Sequence, residues 1–298
     1  MAVAQKTLTV ARRRRWTIGM RAARTAGHGL LYLVLTAGAI IAIIPFLWTV
    51  SSSLKDSAHI FTLKIQWLPN PVVWDNYPEL FRRLPFFRFI MNTLLVVVTN
   101  VATGVVMASL AAYAFARLPA PAKGAIFTLV ISTMLLPSQV TLIPRYIIFT
   151  KLNMVDTFWP LILPGFFGGG PFEIFLFRQF FLSLPKDLDD AARMDGCGSF
   201  QIYWRILMPL CKPAVTTVAI FNFVWAWSDF MGPLIYLNSM NHFTLALGLN
   251  LLRRSAEWST RWELIMAGSV LSIMPMLLIF FLGQNYFVQG IALTGIKE

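Results

Sequence analysis

The sequence has few charged residues, and acidic residues are especially scarce. Charged residues make up 13% of the 298 positions, about half the share of roughly 25% that soluble domains carry, and only 13 residues are acidic. A soluble domain of this size could not cover its surface with so few charges. Two cysteines, 18 glycines and 17 prolines without a short period exclude a disulfide scaffold, a collagen and a low-complexity disordered chain.

Long apolar runs take the place of the missing charges. Hydrophobic residues make up 57% of the chain, which includes 25 Phe and 10 Trp, and the mean hydropathy is +0.66. A spanning helix needs about 20 largely apolar residues. The sequence therefore predicts an all-α membrane protein with six transmembrane helices. The predicted spans are 30–50, 89–115, 124–144, 157–177, 214–237 and 264–287.

The basic residues predict how the chain is oriented. Seven of them lie in residues 1–29, which we interpret as a basic cytoplasmic segment ahead of a membrane domain formed by residues 30–298. With six spans, fifteen basic residues fall on the inside and ten on the outside, so both termini are predicted to be cytoplasmic. The N-terminal cluster either sets topology or recognises lipids. The first run is too long for a cleavable signal peptide. The net charge is +12, but the basic residues flank the apolar runs, so no nucleic-acid partner is expected.

The loop 178–213, the longest connection on the predicted inside, has the pattern of two short helices. Pro185 followed by acids indicates a helix start, and Gly196 breaks that helix. Ser199 is suited to cap a second helix over Phe200–Leu207. The loop is either a plain helical hairpin or a docking element for a soluble partner.

The residues of this loop resemble the EAA loop of ABC importer permeases. Asp190–Cys197, then Ile206 and Met208-Pro209, fit the pattern Glu-Ala-Ala, two residues, Asp-Gly-Ala, eight residues, Ile, one residue, Leu-Pro. In this sequence Asp190, Cys197 and Met208 replace the Glu, the last Ala and the Leu of the pattern. We call 178–213 the coupling loop, and the fold implied is that of a type I ABC importer permease. The family's ATPase-coupling residues correspond to Asp190, Ala191, Ala192, Asp195 and Gly196.

Other segments resemble the carbohydrate branch of that family. Leu135–Pro144 is similar to the exit of the third span in sugar permeases, and Phe243–Leu245 and Gln289–Ile291 also fit. Trp227–Phe230 with Pro233-Leu234 resembles a Trp-Asn-Asp-Phe…Pro-Leu signature in which Ser228 replaces Asn. The likeness is to the smaller, six-span permease of the maltose-permease type.

The resemblance implies a bacterial inner-membrane complex that imports a sugar. This chain would form half of the path, with a second homologous permease, two ATP-binding subunits and an external solute-binding protein as partners. ATP and Mg²⁺ would sit on the ATPase subunits, and this chain would bind no cofactor. It contains no Gly-x-x-x-x-Gly-Lys-Ser/Thr loop, so we expect no enzyme activity and no catalytic residue. A permease for a glycerol-phosphate-type or other non-sugar solute stays open.

Polar and aromatic residues at membrane depth are the candidates for the translocation path. Asn222 is one candidate, and Asn92 either lines the path or makes interhelical hydrogen bonds. Asp229 either lines the path or is a structural acid near the outer membrane surface, and Trp225 either stacks on sugar or faces lipid. Asn100 and Glu173 belong to the same set. The run Gly168–Pro171 predicts a broken helix, as a cavity wall or a packing kink, and 238–261 predicts an external loop toward the binding protein.

Other chemistries lack the residues they need. Three histidines are scattered and the two cysteines are fourteen positions apart on the predicted reducing side, so neither a metal site nor a disulfide is expected. An intramembrane enzyme would need histidines or acids clustered at span ends, and the sequence has no such cluster.

Overall fold

The computed structural model describes the backbone of residues 2–254 and 261–295 and the side chains of 27–253 and 261–284. Every regular element in that part of the chain is helical, as the composition predicts. Four helical segments are long and apolar enough to cross a membrane, and the number rises to six if each of two bent helix pairs is one span. The four are Gly27–Ser53, Phe86–Arg117, Trp159–Ser183 and Trp262–Gln284.

The α-helices range from single turns to 52 residues. They are α1 (Ala2–Ser53), α2 (Asn76–Arg83), α3 (Phe86–Arg117), α4 (Lys123–Ser132), α5 (Ser138–Lys151), α6 (Trp159–Ile162), α7 (Pro171–Ser183), α8 (Asp187–Met194), α9 (Ser199–Gln201), α10 (Met208–Leu210), α11 (Lys212–Ser228), α12 (Met231–Tyr236), α13 (Leu245–Arg254) and α14 (Trp262–Gly295). Short 3-10 helices occupy Ser57–His59, Thr133–Leu135, Leu163–Phe166 and Met240–His242, and Ile202–Leu207 is a π-helix.

The predicted third span, 124–144, is not one straight helix. The chain bends by 99° between Lys123–Leu135 and Ser138–Lys151. Pro137 has no backbone N–H to continue the helix, and it disfavours helical angles at Leu136, which is extended (ψ 119°). The apolar run did not predict this break, because hydropathy carries no information about backbone geometry.

The predicted fourth span, 157–177, is broken as its glycines indicate and runs further than predicted. Gly168 and Gly169 adopt φ of +98° and +69°, between the short α6 and α7. Helix α7 then continues to Ser183. In the predicted fifth span, 214–237, α11 starts at Lys212 and stops at Ser228, and α12 resumes at Met231. The connection between α7 and α11 is therefore 184–211, shorter than the predicted 178–213.

The two short helices of the coupling loop are present, but the cap of the second differs from the prediction. Gly198 rather than Ser199 occupies the N-cap position, and its backbone is extended. The backbone N–H of Gly198 donates to Oε1 of Gln201 at 2.9 Å. Ser199 is the first helical residue. The helix then continues through the π-helix to Leu210, beyond the predicted end at Leu207.

Helix α3 lies at the centre of the packing, against α7 and α11, while α14 packs against α1, α2 and α11. Two clusters of buried side chains flank α3. One includes Ala112, Phe177 and Tyr203 near the coupling loop, and the other includes Phe89 and Leu264 at the opposite end. We call the end of the molecule that carries the coupling loop the coupling face, and the end where α1 stops and α3 begins the distal face.

Candidate functional site

The coupling loop presents most of its motif residues to the outside. Asp190, Ala191, Asp195 and Gly196 are exposed, whereas Ala192 is buried against the protein. Asp190 makes an exposed ion pair with Arg193 at 3.7 Å within α8. The exposed acids are therefore accessible from outside this chain.

Gly196 lies in the tight turn between α8 and α9. Its φ of +84° belongs to the left-handed region that favours glycine, as the motif predicts. No atom of the described chain lies within 4 Å of the position that a Cβ would take. The turn thus requires glycine for its backbone, and the space beside it is open.

Large apolar side chains surround this turn on the same exposed surface. Met194 is 87% exposed, Phe200 66% and Trp204 56%. Large apolar side chains that are this exposed, near a loop that connects two spans, are typical of a protein interface. The sequence reasoning missed these three residues, although their spacing around Gly196 placed them beside the motif.

A buried ion pair fastens the coupling loop to α3, and sequence reasoning missed it too. Nε of Arg117, the last residue of α3, lies 3.3 Å from Oδ2 of Asp189, and both side chains are almost fully buried. Nη2 of Arg117 also donates to the Leu184 carbonyl at 2.9 Å. Asp189 precedes the recognisable motif by one residue, so its role becomes visible only when α3 and α8 are seen together.

Two tyrosines add to this attachment. Tyr113 of α3 donates its hydroxyl to the Ser199 carbonyl at 3.0 Å, and the Tyr203 hydroxyl lies 2.8 Å from Oγ of Ser109. Their rings contact each other with centroids 5.5 Å apart. The second helix of the coupling loop is thereby held against the same helix that holds the first.

A cavity of about 410 Å³ lies between α3, α6, α11 and α12. Three of the four path candidates, Asn222, Trp225 and Asp229, line it, and Asn100 joins them from α3. Two amides, an indole and a carboxylate thus face one volume. Such a mixture of an aromatic face with a few polar groups suits the binding of a polar organic solute.

The amides of this cavity differ in how they are held. Nδ2 of Asn100 donates to the carbonyls of Val96 at 2.9 Å and Leu161 at 3.2 Å. Nδ2 of Asn222 is buried and has no hydrogen-bond partner among the described residues, and it packs on Gly104. The unpaired amide nitrogen of Asn222 therefore faces α3 at Gly104, while the residue itself borders the cavity.

Asp229 stands between this cavity and a second one of about 240 Å³. Its Oδ1 accepts the N–H of Gly232, the second residue of α12, at 3.1 Å, and its side chain remains exposed. Arg145, Gln139 and Ser138 line the second cavity. Asp229 therefore bonds the first turn of α12 and places a carboxylate at the junction of the two cavities.

The aromatic residues of α11 divide into two faces. Trp225 stacks on Phe221 with centroids 5.9 Å apart, contacts Phe172 and is half exposed at the cavity. Trp227 is buried, stacks on Phe223 and donates from Nε1 to the Ser272 carbonyl at 3.0 Å. Only the first face can meet a solute, and the second holds α11 to α14.

Asn92, the fourth path candidate, lies away from the cavity. Its Nδ2 donates to the carbonyls of Asn241 at 2.8 Å and Phe243 at 2.9 Å, so it ties α3 to the segment 238–245 on the distal face. This geometry corresponds to the structural alternative for Asn92. Part of the predicted external loop 238–261, residues 255–260, lies outside the described residues.

Asp156 holds the same segment from the other side. Oδ1 accepts the N–H groups of Asn238 at 2.9 Å and Ser239 at 2.8 Å and lies 3.3 Å from Nδ1 of His242, and Oδ2 accepts the Ser239 hydroxyl. Burial raises the pKa of Asp156, but these hydrogen bonds outweigh it and bring the pKa well below its usual value. Sequence reasoning missed this residue.

Glu173 is buried at the glycine break and does not line the cavities described above. Its carboxylate packs on Gly170, and Oε2 has no hydrogen-bond partner among the residues described. The described residues contain no group of three or more His, Cys, Asp or Glu that could hold a metal ion. Cys197 is half-buried and Cys211 buried, and both are free thiols.

The family comparison identifies the kind of protein to which this geometry belongs. The profile described as "Binding-protein-dependent transport system inner membrane component" matches residues 101–293. The chain belongs to this family. Its matched part contains the coupling loop and most of the residues that line the two cavities, but not Asn92, Val96 and Asn100 of α3.

Relatives of this permease cover nearly its whole length. The probable ABC transporter permease protein YurM of Bacillus subtilis is 34% identical over 289 residues, which are 96% of this chain and 91% of that protein. The arabinooligosaccharides transport system permease protein AraQ of the same species is 33% identical, covering 87% of this chain and 92% of that one.

A solved structure has the same fold as this permease. It is the crystal structure of a bacterial ABC transporter involved in the import of the acidic polysaccharide alginate, with a TM-score of 0.78, 22% identity, and coverage of 87% of this chain and 95% of that chain. The all-α permease fold predicted from the apolar runs and the motif is thereby confirmed.

Proposed function

We propose that this permease forms half of the path through which a sugar, delivered by an external binding protein, crosses the inner membrane. ATP hydrolysis on two partner subunits drives the passage, and a second, homologous permease supplies the other half. ATP and Mg²⁺ belong to those partners, and this chain binds no cofactor. Both termini lie in the cytoplasm, which makes the coupling face cytoplasmic.

The observation that carries the proposal is the double attachment of α3. Val96 and Asn100 of α3 line the larger cavity, and Arg117 at its end binds the coupling loop. Seventeen residues separate Asn100 from Arg117, about 25 Å of helix at 1.5 Å per residue. A movement imposed on the coupling loop thus reaches the cavity wall through one stiff element.

The lining of the cavity supports a sugar as the solute. A sugar presents hydroxyl groups and weakly apolar ring faces, which match amides, a carboxylate and an indole face. Asn222 and Trp225 supply these groups from α11, and Asp229 supplies its carboxylate from the position just after that helix. The relative named for arabinooligosaccharides and the structure named for alginate support the same class of solute.

One observation favours the alternative, an anionic solute of the glycerol-phosphate type. Arg145 lines the second cavity and makes no ion pair within the described residues. A guanidinium binds phosphate by two parallel hydrogen bonds. Asp229 in the same cavity opposes an anion, so a sugar remains the first proposal.

The test is uptake by the whole importer in proteoliposomes. Proteoliposomes that contain the complex receive the external binding protein together with radiolabelled oligosaccharides or with glycerol 3-phosphate. We expect ATP-dependent uptake of an oligosaccharide that also raises ATPase activity through the binding protein. Asn222→Ala should lower uptake while the complex stays intact, and Gly124→Ala, at an open position of α4, serves as the matched control. Uptake of glycerol 3-phosphate alone, abolished by Arg145→Gln, would establish the alternative instead.

A further inference from the structure

The segment 57–74, between α1 and α2, exposes an unusual number of large apolar side chains on the distal face. None of its residues is acidic, and Lys64 is its only lysine or arginine. Leu63 and Leu68 are the most exposed, with 109% and 82% of their surface accessible. The other exposed large apolar residues of the segment are Phe61, Ile65, Trp67, Val72 and Trp74.

The segment does not project away from the helices but folds back along them. The Trp67 ring contacts Trp48 with centroids 5.6 Å apart, and Ser51 donates its hydroxyl to the Trp67 carbonyl. Trp48 lies five residues before Ser53, the end of α1, which is about 7.5 Å of helix. Part of the segment therefore lies level with the last turns of the membrane-spanning helix rather than beyond it.

A buried lysine fixes this folded-back shape. Lys55 is only 1% exposed, its Nζ donates to the Gln66 carbonyl, and the same ammonium lies 4.1 Å from the ring centroid of Trp48. Nδ2 of Asn76 donates to the carbonyls of Ser53 and Lys55, each at 2.9 Å. The exposure of the apolar residues is thus a property of a held structure and not of a loose loop.

The apolar surface of the segment continues the apolar surface of two spans. Leu47, Ile44 and the other outward residues of α1 are exposed along the helix, as a lipid-facing span requires. Phe61 contacts Trp262, the first residue of α14, with ring centroids 5.2 Å apart. The segment therefore lies across the distal ends of α1 and α14, which pack on each other.

We propose that the segment 57–74 lies in the membrane, with Leu63, Leu68 and its aromatic residues in the boundary between headgroups and acyl chains of the distal leaflet. Interfacial elements of this kind combine Trp, Phe and Leu with few charges and reach about 5–10 Å below the headgroups. The Trp48–Trp67 contact lies about 7.5 Å along α1 from its end, a distance of the same size as that range. Lys64 is placed to meet lipid phosphates.

The composition argues for lipid rather than for the external binding protein. A binding protein that docks and departs in each transport cycle would leave its surface in water between cycles, and such surfaces are no more apolar than the rest of a protein. Seven exposed large apolar residues without an acid would be unfavourable there. Acyl chains cover such a surface permanently.

Spin labels in the whole importer test this placement. Single cysteines replace Leu63 or Leu68 in a Cys197→Ser background, where the remaining Cys211 is fully buried. Leu33→Cys, at an exposed position six residues into the span Gly27–Ser53, gives the lipid reference, and Asn238→Cys, on the distal face, gives the aqueous reference. The complex is placed in nanodiscs of phosphatidylethanolamine and phosphatidylglycerol.

The measured quantity is the ratio of collisions with oxygen, which concentrates in acyl chains, to collisions with a water-soluble nickel chelate. We expect Leu63→Cys and Leu68→Cys to give oxygen-favoured ratios near that of Leu33→Cys, whether or not binding protein is added. Ratios like that of Asn238→Cys would overturn the proposal. A second result would also overturn the proposal: labels that the nickel chelate reaches in the importer without binding protein and that loaded binding protein shields. That result would assign the surface to the binding protein.

Discussion

A substitution at Gly196, in the turn between α8 and α9, should affect the docking of a partner more than the folding of this chain. The backbone of Gly196 is left-handed, and the space around it is empty in the described chain. A side chain there strains φ by about 1 kcal/mol, which a membrane protein of this size withstands. Any larger effect must come from a partner that occupies the empty space.

We therefore expect Gly196→Asp to insert normally and to lose transport, because the added carboxylate blocks the docking surface. Asn tolerates left-handed backbone and has nearly the same shape, so Gly196→Asn is the matched control for charge. Membrane abundance by immunoblot, uptake, and ATPase retained on purification are the measurements. Normal uptake by Gly196→Asp at equal abundance would overturn the docking role of the loop.

The neighbouring acids Asp189 and Asp190 differ in burial and so in the effect of their removal. Asp189→Ala leaves the guanidinium of Arg117 buried without its partner, and such losses are about 3–5 kcal/mol. Asp190→Ala removes an exposed pair worth at most about 1 kcal/mol. Melting of the purified permease should fall markedly for Asp189→Ala and little for Asp190→Ala, whose defect should appear only as weaker ATPase retention. Equal melting would show that the buried pair does not stabilise the attachment.

At the scale of helices, close packing of α3 on α11 sets the position of the cavity wall. A Cβ on Gly104 would collide with the Asn222 amide, which has no other support from a hydrogen bond within the described chain. The neighbouring Gly165 packs equally closely on Thr103. Small residues thus let α3 approach the helices that line the path.

Gly104→Ala is expected to displace Asn222 and to lower uptake several-fold, while the binding of ATPase subunits stays unchanged, because Arg117 and the coupling loop are some distance along α3. Gly124→Ala, where nothing lies within 4 Å, adds the same methyl group without a collision. Uptake is measured at matched abundance. Equal uptake by both variants would mean that Asn222 does not shape the path.

The helices and the coupling motif could be predicted from the sequence because hydropathy and residue spacing are local properties. The break at Gly168 was equally visible, since three glycines in succession have few other uses in a span. The 99° bend at Pro137 was not, because proline is common inside spans and only tertiary packing decides whether it bends or breaks a helix. The Arg117–Asp189 pair was invisible because its members are 72 positions apart.

At the scale of the whole molecule, the distal face is tied together by Asp156. Its carboxylate joins the loop after α5 to the segment 238–242, which Asn92 joins to α3. Three parts of the chain that are distant in sequence thus share one polar junction. The opposite face is tied by Arg117 in a comparable way.

The Asp156 junction predicts a pH dependence of stability. Its folded-state pKa lies below the ordinary 3.8, so its stabilisation is complete above about pH 5 and is lost as the pH falls through the folded value. Asp156→Asn keeps the left-handed backbone and removes the charge, at a loss of about 1–2 kcal/mol, since partial exposure screens the interaction. The difference in melting temperature between wild type and variant should be constant from about pH 5 to 7 and shrink on acidification. A difference that grows toward acid would contradict the assignment.

Orientation is a separate prediction at this scale. Six spans with both termini in the cytoplasm place Lys64 and Leu207 on opposite sides of the membrane. Reporter fusions after these two residues should therefore give opposite signals, with alkaline phosphatase active only after Lys64. Active reporter at both positions would require a different number of spans between them.

The two thiols of the coupling face differ in accessibility, so their alkylation rates can report whether a partner covers this face. Cys197, beside Gly196, is partly accessible, whereas Cys211 is sealed in the core. Alkylation of the isolated permease should thus modify one sulfur quickly and the other hardly at all. If an ATPase covers the turn, the fast reaction should slow when the complex assembles and recover whenever the subunits separate during turnover. Mass spectrometry of the unaltered chain could then follow attachment at this surface without any introduced probe.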